Sequence, residues 1–332
     1  MNEHLKGLRH LQQHSRGGEI NVTEDVPEEE HRIADAVYQQ DPGRRLRVQA
    51  QPGLSDLEFL RFYPHVRALE LWISKADFNL EGLRHLQNLD RLHLLGDEAD
   101  LGAPAVRDLL HRNPGIGQIH SMIKGKAIPS HTLDEPTALH SLHLMGNRGT
   151  IKNIDAIADL KQVTSLGFAS TTVDSVEVLR DLQGLETLYF GLGSTKDLSG
   201  LAGSELKDLS LAAIRQFSDL SFLSDLRALE TVRLEAMRNV TTFPNLAGLS
   251  ALTDITLDGM KGLRNLELVA TAPGLRQLTI SQADYLDPQD LLPLVKHPSL
   301  QKLNIHFTWR IPKNERKEEQ LRQMFGGIFS RG

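Results

Sequence analysis

Three histidines, His93, His120 and His143, recur at the same place in a short repeated apolar motif of the form LxxLxL. Each is the fifth residue of its copy and lies between the inward-pointing residues four and six. Side chains alternate along a strand, and neighbouring strands lie about 4.8 Å apart, so the three imidazoles are predicted to form a row on one exposed sheet face. Such a row could bind a metal ion, take up protons near neutral pH, or contact a partner.

Metal binding is the most demanding of these chemistries. Imidazole nitrogens lie about 2.1 Å from a bound zinc ion, whereas histidines on three successive strands span about 10 Å. We expect no carboxylate or cysteine at their level, and we predict no metal site and no cofactor. Protonation is a milder alternative, because histidines with the ordinary pKa of about 6.5 would repel one another when charged and weaken the docking of an apolar partner. A metal- or pH-responsive sensor centred on this row stays the alternative function.

The elements that hold the histidines are repeats. Five clear copies of the motif begin at Leu185, Leu206, Leu229, Leu252 and Leu275, with steps of 21, 23, 23 and 23 residues. Further copies begin at Val163, Leu139, Ile116, Leu89, Val66 and Leu300, and a degenerate first copy begins at Gly43. This periodicity predicts one strand per repeat in a parallel sheet. Between strands the apolar residues fall at every third position, which predicts short 3₁₀ turns, apart from a fuller helical pattern at 103–112.

From about Gly43 to Thr308 the sequence resembles the leucine-rich repeat family, in particular the repeats of about 22 residues in bacterial internalin-like and related intracellular proteins. The resemblance implies an α/β solenoid. Its shape would be a right-handed horseshoe, with a curved parallel sheet on the concave side and short 3₁₀ or helical segments on the convex side. Recognition of a protein on the concave face is common in the family. The chain contains no cysteine, which excludes the cysteine-flanked end modules of extracellular members.

The predicted organisation has three parts. Residues 1–42 form a polar, partly helical N-terminal cap, with helical stretches near 5–13 and 29–39. Residues 43–308 form the solenoid of about twelve repeats. Residues 309–332 form a C-terminal helical cap, with a helix over 313–325. Caps are expected because the first and last repeats would otherwise expose their apolar faces.

The side chains on the concave face are the candidate binding residues. Alternation places positions three, five and seven of each repeat there. In the N-terminal half, the predicted partner-binding residues are Trp72, His93, Leu95, His120, Met122, His143 and Met145, flanked by Arg45, Arg47, Glu70 and Arg91. Contiguous exposed apolar side chains usually mark an interaction site, and Trp, Met and Arg are the residues that anchor such interfaces.

Two other interpretations of this patch stay open. It could be ordinary solvated surface. Alternatively, the frame that starts at Ile116 could slip by one residue, because Ser121 stands where an inward leucine is expected. Such a slip would turn His120 into the core and break the row.

The C-terminal half of the concave face is polar with an acidic bias. There we predict Tyr189, Arg233, Glu235 and Asp258 as further partner-binding residues. A stretch of small residues, including Gly167 and Gly191, separates the two halves. A solvated face would explain these polar residues equally well.

Composition argues against several classes of function. Lys plus Arg number 37 against 43 Asp plus Glu, which gives a net charge of −6, and no basic cluster is present, so nucleic acid is not an expected partner. No segment approaches the roughly 18 apolar residues of a membrane span. The first residues lack the apolar core of a signal peptide, which predicts a cytoplasmic protein or one exported by a non-Sec route. No P-loop, HExxH, nucleophile elbow or dinucleotide fingerprint is found, so we predict no catalytic residues and no enzyme.

The sequence therefore predicts a bacterial, non-catalytic module for protein–protein interaction. We expect it to bind a protein on its concave face in an inhibitor or immunity, effector or scaffold role. The identity of the partner and the oligomeric state are not predicted.

Overall fold

A computed structural model describes residue 11 and residues 19–124, 127–308 and 311–331 of the chain. The helical stretch expected near 5–13 lies almost entirely outside the described residues. Within them the helices are α1 (Glu28–Gln40), α2 (Pro104–Arg112) and α3 (Pro312–Phe325). The strands are β1 (Ile20–Val22), β2 (Arg45–Ala50), β3 (Ala68–Ile73), β4 (Arg91–Leu95), β5 (Gln118–Met122), β6 (Ser141–Met145), β7 (Ser165–Ala169), β8 (Thr187–Gly191), β9 (Asp208–Ala212), β10 (Thr231–Glu235), β11 (Asp254–Asp258), β12 (Gln277–Ser281), β13 (Lys302–His306) and β14 (Phe329–Arg331).

Each predicted repeat contains one strand, from β2 in the first copy to β13 in the last. The strand begins at the third position of the motif, so positions four and six fall on one face of the sheet. Leu92 and Leu94 of β4 show the pattern, with exposed fractions of 1% and 0%. Positions three, five and seven point to the other side, which we call the open face. The sequence pattern thus sets both the strand register and the side of the sheet on which the core lies.

The chain divides into two compact units. The first comprises Met1–Asn147 with Ile151–Val163 and contains β1 to β6, α1 and α2. The second comprises Arg148–Thr150 and Thr164–Gly332 and contains β7 to β14 and α3. Within each unit, strands that follow one another in the sequence pair in parallel. Consecutive parallel strands joined by short crossovers are the arrangement of a solenoid, so the predicted fold class is confirmed.

Short 3₁₀ helices follow many of the strands, as the three-residue apolar spacing predicts. They include Glu58–Phe62, Glu81–His85, Ile154–Ile157, Glu177–Asp181, Ser199–Leu201, Ser221–Asp225, Val269–Thr271 and Pro288–Leu294. Several begin after a turn in which a side-chain oxygen accepts a hydrogen bond from the backbone N–H two residues later. Asp219 accepts from Ser221 at 2.8 Å, and Asp197 accepts from Ser199 at 2.7 Å. The helix expected at 103–112 is α2.

The residue that follows each of the strands β7 to β12 has a left-handed backbone. These residues are Ser170, Leu192, Ala213, Ala236, Gly259 and Gln282, with φ between 50° and 59°. The N–H groups of Ser170, Leu192, Ala213, Ala236 and Gly259 each donate to the last carbonyl of the next strand, at 2.8 to 3.1 Å. This series of backbone hydrogen bonds extends the pairing of the strands by one residue and satisfies polar groups at the turn without any side chain.

The first described segments pack against β2 and the 3₁₀ helix Glu58–Phe62. α1 lies at the helical stretch expected over 29–39, and its buried His31 stacks on Phe59 with ring centroids 4.6 Å apart. β1 was not predicted, and it pairs with β2 through Ile20 and Leu46. The sequence analysis missed it because three residues are too few to show the alternation of a strand.

At the C-terminal end, α3 starts one residue before the predicted helix. The Nζ atom of Lys317 donates to the backbone carbonyl of Asp284 at 2.8 Å and to that of Leu286. β14, a further strand that was not predicted, pairs with β13 through Phe329 and Leu303. The division of the chain into caps and solenoid stays a prediction.

Candidate functional site

The three histidines lie on adjacent strands of the first unit and in register. His93 of β4 is paired with His120 of β5, and His120 is paired with His143 of β6. Their ring centroids are 5.2 Å and 5.6 Å apart. Ser121 is fully buried, so the frame at Ile116 has not slipped and His120 stays on the open face. The strands therefore hold the imidazoles as one continuous row.

A carboxylate stands at the level of the histidines, so the expectation that none would do so is wrong. Glu70 of β3 is in register with His93, and its carboxylate lies 3.8 Å from the His93 Nδ1 atom. Arg45 and Arg47 form ion pairs with Glu70 at 2.5 Å and 3.2 Å, and Glu19 pairs with Arg47 at 3.0 Å. This end of the row is an ion-pair network of balanced charge. Opposite charges at the fifth position of neighbouring repeats were the signal in the sequence.

Partial burial keeps the histidine row neutral. Burial lowers the pKa of His93 to about 4, and the positive charge of Arg45 acts in the same direction. Burial also lowers the pKa of His120, to which His143 contributes, and lowers the pKa of His143. The row is therefore unprotonated at neutral pH. Repulsion between charged imidazoles, which the sequence analysis placed near pH 6.5, is displaced to more acidic conditions.

An apolar row runs beside the histidines at position seven. Trp72 of β3 is in register with Leu95 of β4, and Met122 of β5 is in register with Met145 of β6. The Trp72 side chain is conspicuous because 49% of its surface is exposed, whereas Leu95, Met122 and Met145 are half-buried. Four strands at about 4.8 Å spacing make this row roughly 14 Å long. The open face of the first unit thus combines neutral imidazoles with a contiguous apolar strip.

A surface pocket borders the apolar row at Met122. It has a volume of about 260 Å³ and is lined by Gly96, Asp97, Ala99, Met122, Ile123, Lys124 and Asn147. Lys124 forms an ion pair with Glu98 at 2.7 Å. The pocket is large enough to hold one side chain.

The remaining predicted residues lie on the open face of the second unit. Arg233 and Glu235 are exposed at positions five and seven of β10, while Tyr189 of β8 and Asp258 of β11 are half-buried. Asp258 accepts a hydrogen bond from the Gln282 side chain at 2.9 Å. Burial raises the pKa of Tyr189, with a further contribution from Glu235. The structure therefore places the predicted residues in two groups, one on each unit.

In the part of the chain that the structure describes, no group of three or more His, Asp or Glu side chains is arranged to hold a metal ion. Across those same ranges, no helix is both long and apolar enough to cross a membrane.

No family model and no curated protein matches this sequence. Solved structures do match it. An internalin of Listeria monocytogenes aligns with a TM-score of 0.53 and 15% identity, over 96% of this chain and 91% of that chain. Internalin C2 of the same species aligns with a TM-score of 0.40 and 26% identity, over 60% of this chain and 75% of that chain. A leucine-rich repeat protein of Leptospira interrogans gives a TM-score of 0.45 and 14% identity, over 87% and 88%.

Of these three structures, the first internalin has a TM-score above 0.5, and we base the comparison on it. At 15% identity this likeness is informative about the fold alone. The consecutive parallel strands, the LxxLxL register and this likeness together define the fold of a leucine-rich repeat protein. Such solenoids present extended surfaces on which partners bind.

Proposed function

We propose that the protein is a non-catalytic protein-interaction module that binds its partner with the open face of the first unit. The exposure of Trp72 carries this proposal, because 49% of a large apolar side chain faces solvent next to the half-buried Leu95. Tryptophan is strongly enriched among the residues that dominate binding energy. An apolar strip bordered by the neutral histidine row supplies a contact surface that does not require a charged partner.

The ion pairs beside the strip support the same proposal. Glu70 is held by Arg45 and Arg47 at 2.5 Å and 3.2 Å, so these side chains are fixed before a partner arrives. Preorganised side chains lose less conformational entropy on binding. The rim of the proposed interface is therefore polar and rigid, while its centre is apolar.

On the second unit, the exposed pair Arg233 and Glu235 is proposed as a further contact, together with Tyr189 and Asp258. These polar residues would contribute to specificity more than to affinity, since exposed charges at an interface chiefly affect the association rate and the choice of partner.

Affinity capture with matched variants tests the main proposal. The full chain is used as bait beside Trp72→Ala and beside Leu292→Ala, which removes another large apolar side chain that is 50% exposed. We expect one protein to bind the wild type and Leu292→Ala but to be lost with Trp72→Ala. In titrations with the purified partner, Trp72→Ala should raise the dissociation constant by at least about tenfold. Equal affinity of all three baits would refute the proposed face.

The biological role of the module is proposed only as one of three possibilities. An inhibitor or immunity protein, an effector and a scaffold all fit a partner-binding face, and bacterial origin with cytoplasmic residence, or export by a non-Sec route, rests on the sequence. The alternative of a pH sensor loses support, because burial lowers the pKa of each of the three histidines. Binding is expected to change less between pH 7.5 and 5.5 than it would with three histidines of ordinary pKa.

A further inference from the structure

Four side chains on β5 and β6 form a compact group on the open face, which we call the His–Met block. His120 and His143 are paired across the two strands, and so are Met122 and Met145 two residues further along. Side chains two apart on a strand share a face, and parallel partners lie about 4.8 Å apart. Two imidazoles and two thioethers therefore stand at the corners of one small quadrilateral.

Within the block, donor atoms of different types meet across the strands. The Nε2 atom of His120 lies 2.7 Å from the Sδ atom of Met145, and the imidazole rings of His120 and His143 are 5.6 Å apart between centroids. A thioether is only a weak hydrogen-bond acceptor, so a hydrogen bond alone gives little reason for this approach. The Met145 sulfur has lone pairs that can bind a metal ion, and so does the His120 Nε2 atom in the tautomer that carries its proton on Nδ1.

The charge state of the block suits metal binding at neutral pH. Burial lowers the pKa of His120 and of His143, and a metal ion binds the neutral form of imidazole. Thioethers have no proton to lose. A metal ion could therefore bind without displacing a proton.

The donor set selects the kind of ion. Zinc in proteins is bound by thiolate, imidazole and carboxylate ligands, and the described residues offer no such cluster of three. Thioether and imidazole ligands suit the soft Cu⁺ ion. We infer that His120, His143, Met122 and Met145 form a binding site for one Cu⁺ ion. The proposed metal site shares Met122 and Met145 with the proposed docking strip, but Trp72, which carries the docking proposal, contributes no ligand.

The test is a titration of the full chain with Cu⁺ under anaerobic, reducing conditions, in competition with the chromophoric chelator bicinchoninate. Native mass spectrometry with Ag⁺, a soft ion that needs no reductant, gives the number of ions bound. We expect one ion per chain and an affinity that falls at least tenfold in both Met145→Leu and His120→Gln. Leucine keeps the volume and apolar character of methionine while removing the sulfur donor.

A double variant, His306→Gln with Met324→Leu, is the matched control. It removes one imidazole and one thioether from the second unit and should bind Cu⁺ like the wild type. The three histidines at positions 4, 10 and 14 remain in every variant, so any ion they bind appears as a constant background. Circular dichroism checks that each variant is folded, and Met122→Leu replaces Met145→Leu if that variant is not.

Two results would overturn the inference. One is Cu⁺ affinity that is the same in the wild type and in the folded methionine variant. The other is a preference for Zn²⁺ over Cu⁺ that depends on His120 but not on Met145, since this would make the site a histidine site in which sulfur plays no part. Loss of Cu⁺ binding in the folded methionine variant, with Cu⁺ binding kept in the control double variant, would support the metal site, whereas the docking proposal is tested separately by Trp72→Ala.

Discussion

The Nδ1 atom of His31 lies 2.9 Å from the hydroxyl oxygen of Tyr63, in the packing between α1 and the 3₁₀ helix Glu58–Phe62. The His31 ring also stacks on Phe59, and only 2% of the residue is exposed. Burial lowers the pKa of His31 to about 4, although the negative charge of Glu30 acts in the opposite direction. The folded protein therefore keeps this imidazole neutral where an unfolded chain would protonate it.

Folding stability is expected to fall as the pH drops from 6.5 towards 4. In that range the unfolded chain binds a proton that the folded chain does not bind at His31, so the free energy of unfolding decreases with decreasing pH. His31 should account for roughly 1–3 kcal/mol of this loss. Urea denaturation of the wild type and of His31→Gln at several pH values measures it.

The comparison with His31→Gln isolates the contribution of one residue. Glutamine takes up no proton in either state, and His93 is present in both proteins, so its effect cancels. The free energies of unfolding of the two proteins should converge as the pH falls and differ by a constant amount above about pH 7.5. A constant difference over the whole range would contradict a lowered pKa for His31.

Gly96 is expected to be intolerant of any side chain. Its φ is +97°, and a Cβ atom there would overlap the backbone carbonyl of Ile73. Gly96→Ala should lower the free energy of unfolding by roughly 2–4 kcal/mol, since neither the backbone strain nor the overlap can be relieved by a side-chain rotation. Gly115→Ala is the control, because no atom lies within 4 Å of the added Cβ. Equal unfolding midpoints for the two variants would rule out the strained turn.

Lys317 is expected to hold the C-terminal helix in place. Its ammonium group donates to the backbone carbonyls of Asp284 and Leu286, and the residue is 5% exposed. Lys317→Met keeps the length of the side chain but leaves both carbonyls without this donor, at a cost of roughly 2–4 kcal/mol. Hydrogen exchange of α3 should then be faster. The exposed Lys313 on the same helix gives the control Lys313→Met, and faster exchange in that variant as well would show that the effect is not specific to Lys317.

Leu192 offers a stabilising substitution. Its φ is +59° and 57% of the residue is exposed, so it bears left-handed strain with little burial in return. Asparagine tolerates this conformation better than leucine. Leu192→Asn should raise the free energy of unfolding by about 0.5–1 kcal/mol, measured by urea denaturation. A loss of stability instead would show that Leu192 packs in a way that outweighs the strain.

The fold could be predicted from the sequence because the burial of apolar side chains imposes it. Apolar residues equivalent to Leu92 and Leu94 recur at the positions that face the core, with Ser121 as an exception, and a shift by one residue would expose them to water. The same frame predicted that His93 and His120 share a row. Sequence periodicity therefore determines which side chains stand next to each other on the open face.

The contacts that these side chains make with one another were harder to predict from the sequence. The approach of His120 to Met145 depends on the rotamers of both residues, which the motif does not specify. The lowered pKa of His93 depends on how far its neighbours cover it, and the motif marks its position only as outward. β1 and β14 were missed because each has three residues and neither belongs to a copy of the repeat motif.

The backbone hydrogen bonds that follow the strands of the second unit make the joint between coils independent of side-chain identity. Serine, leucine, alanine and glycine all occupy the donor position there. A whole coil could accordingly be duplicated, deleted or exchanged while this backbone pairing is kept, so the open face can be lengthened or shortened in single steps by protein engineering.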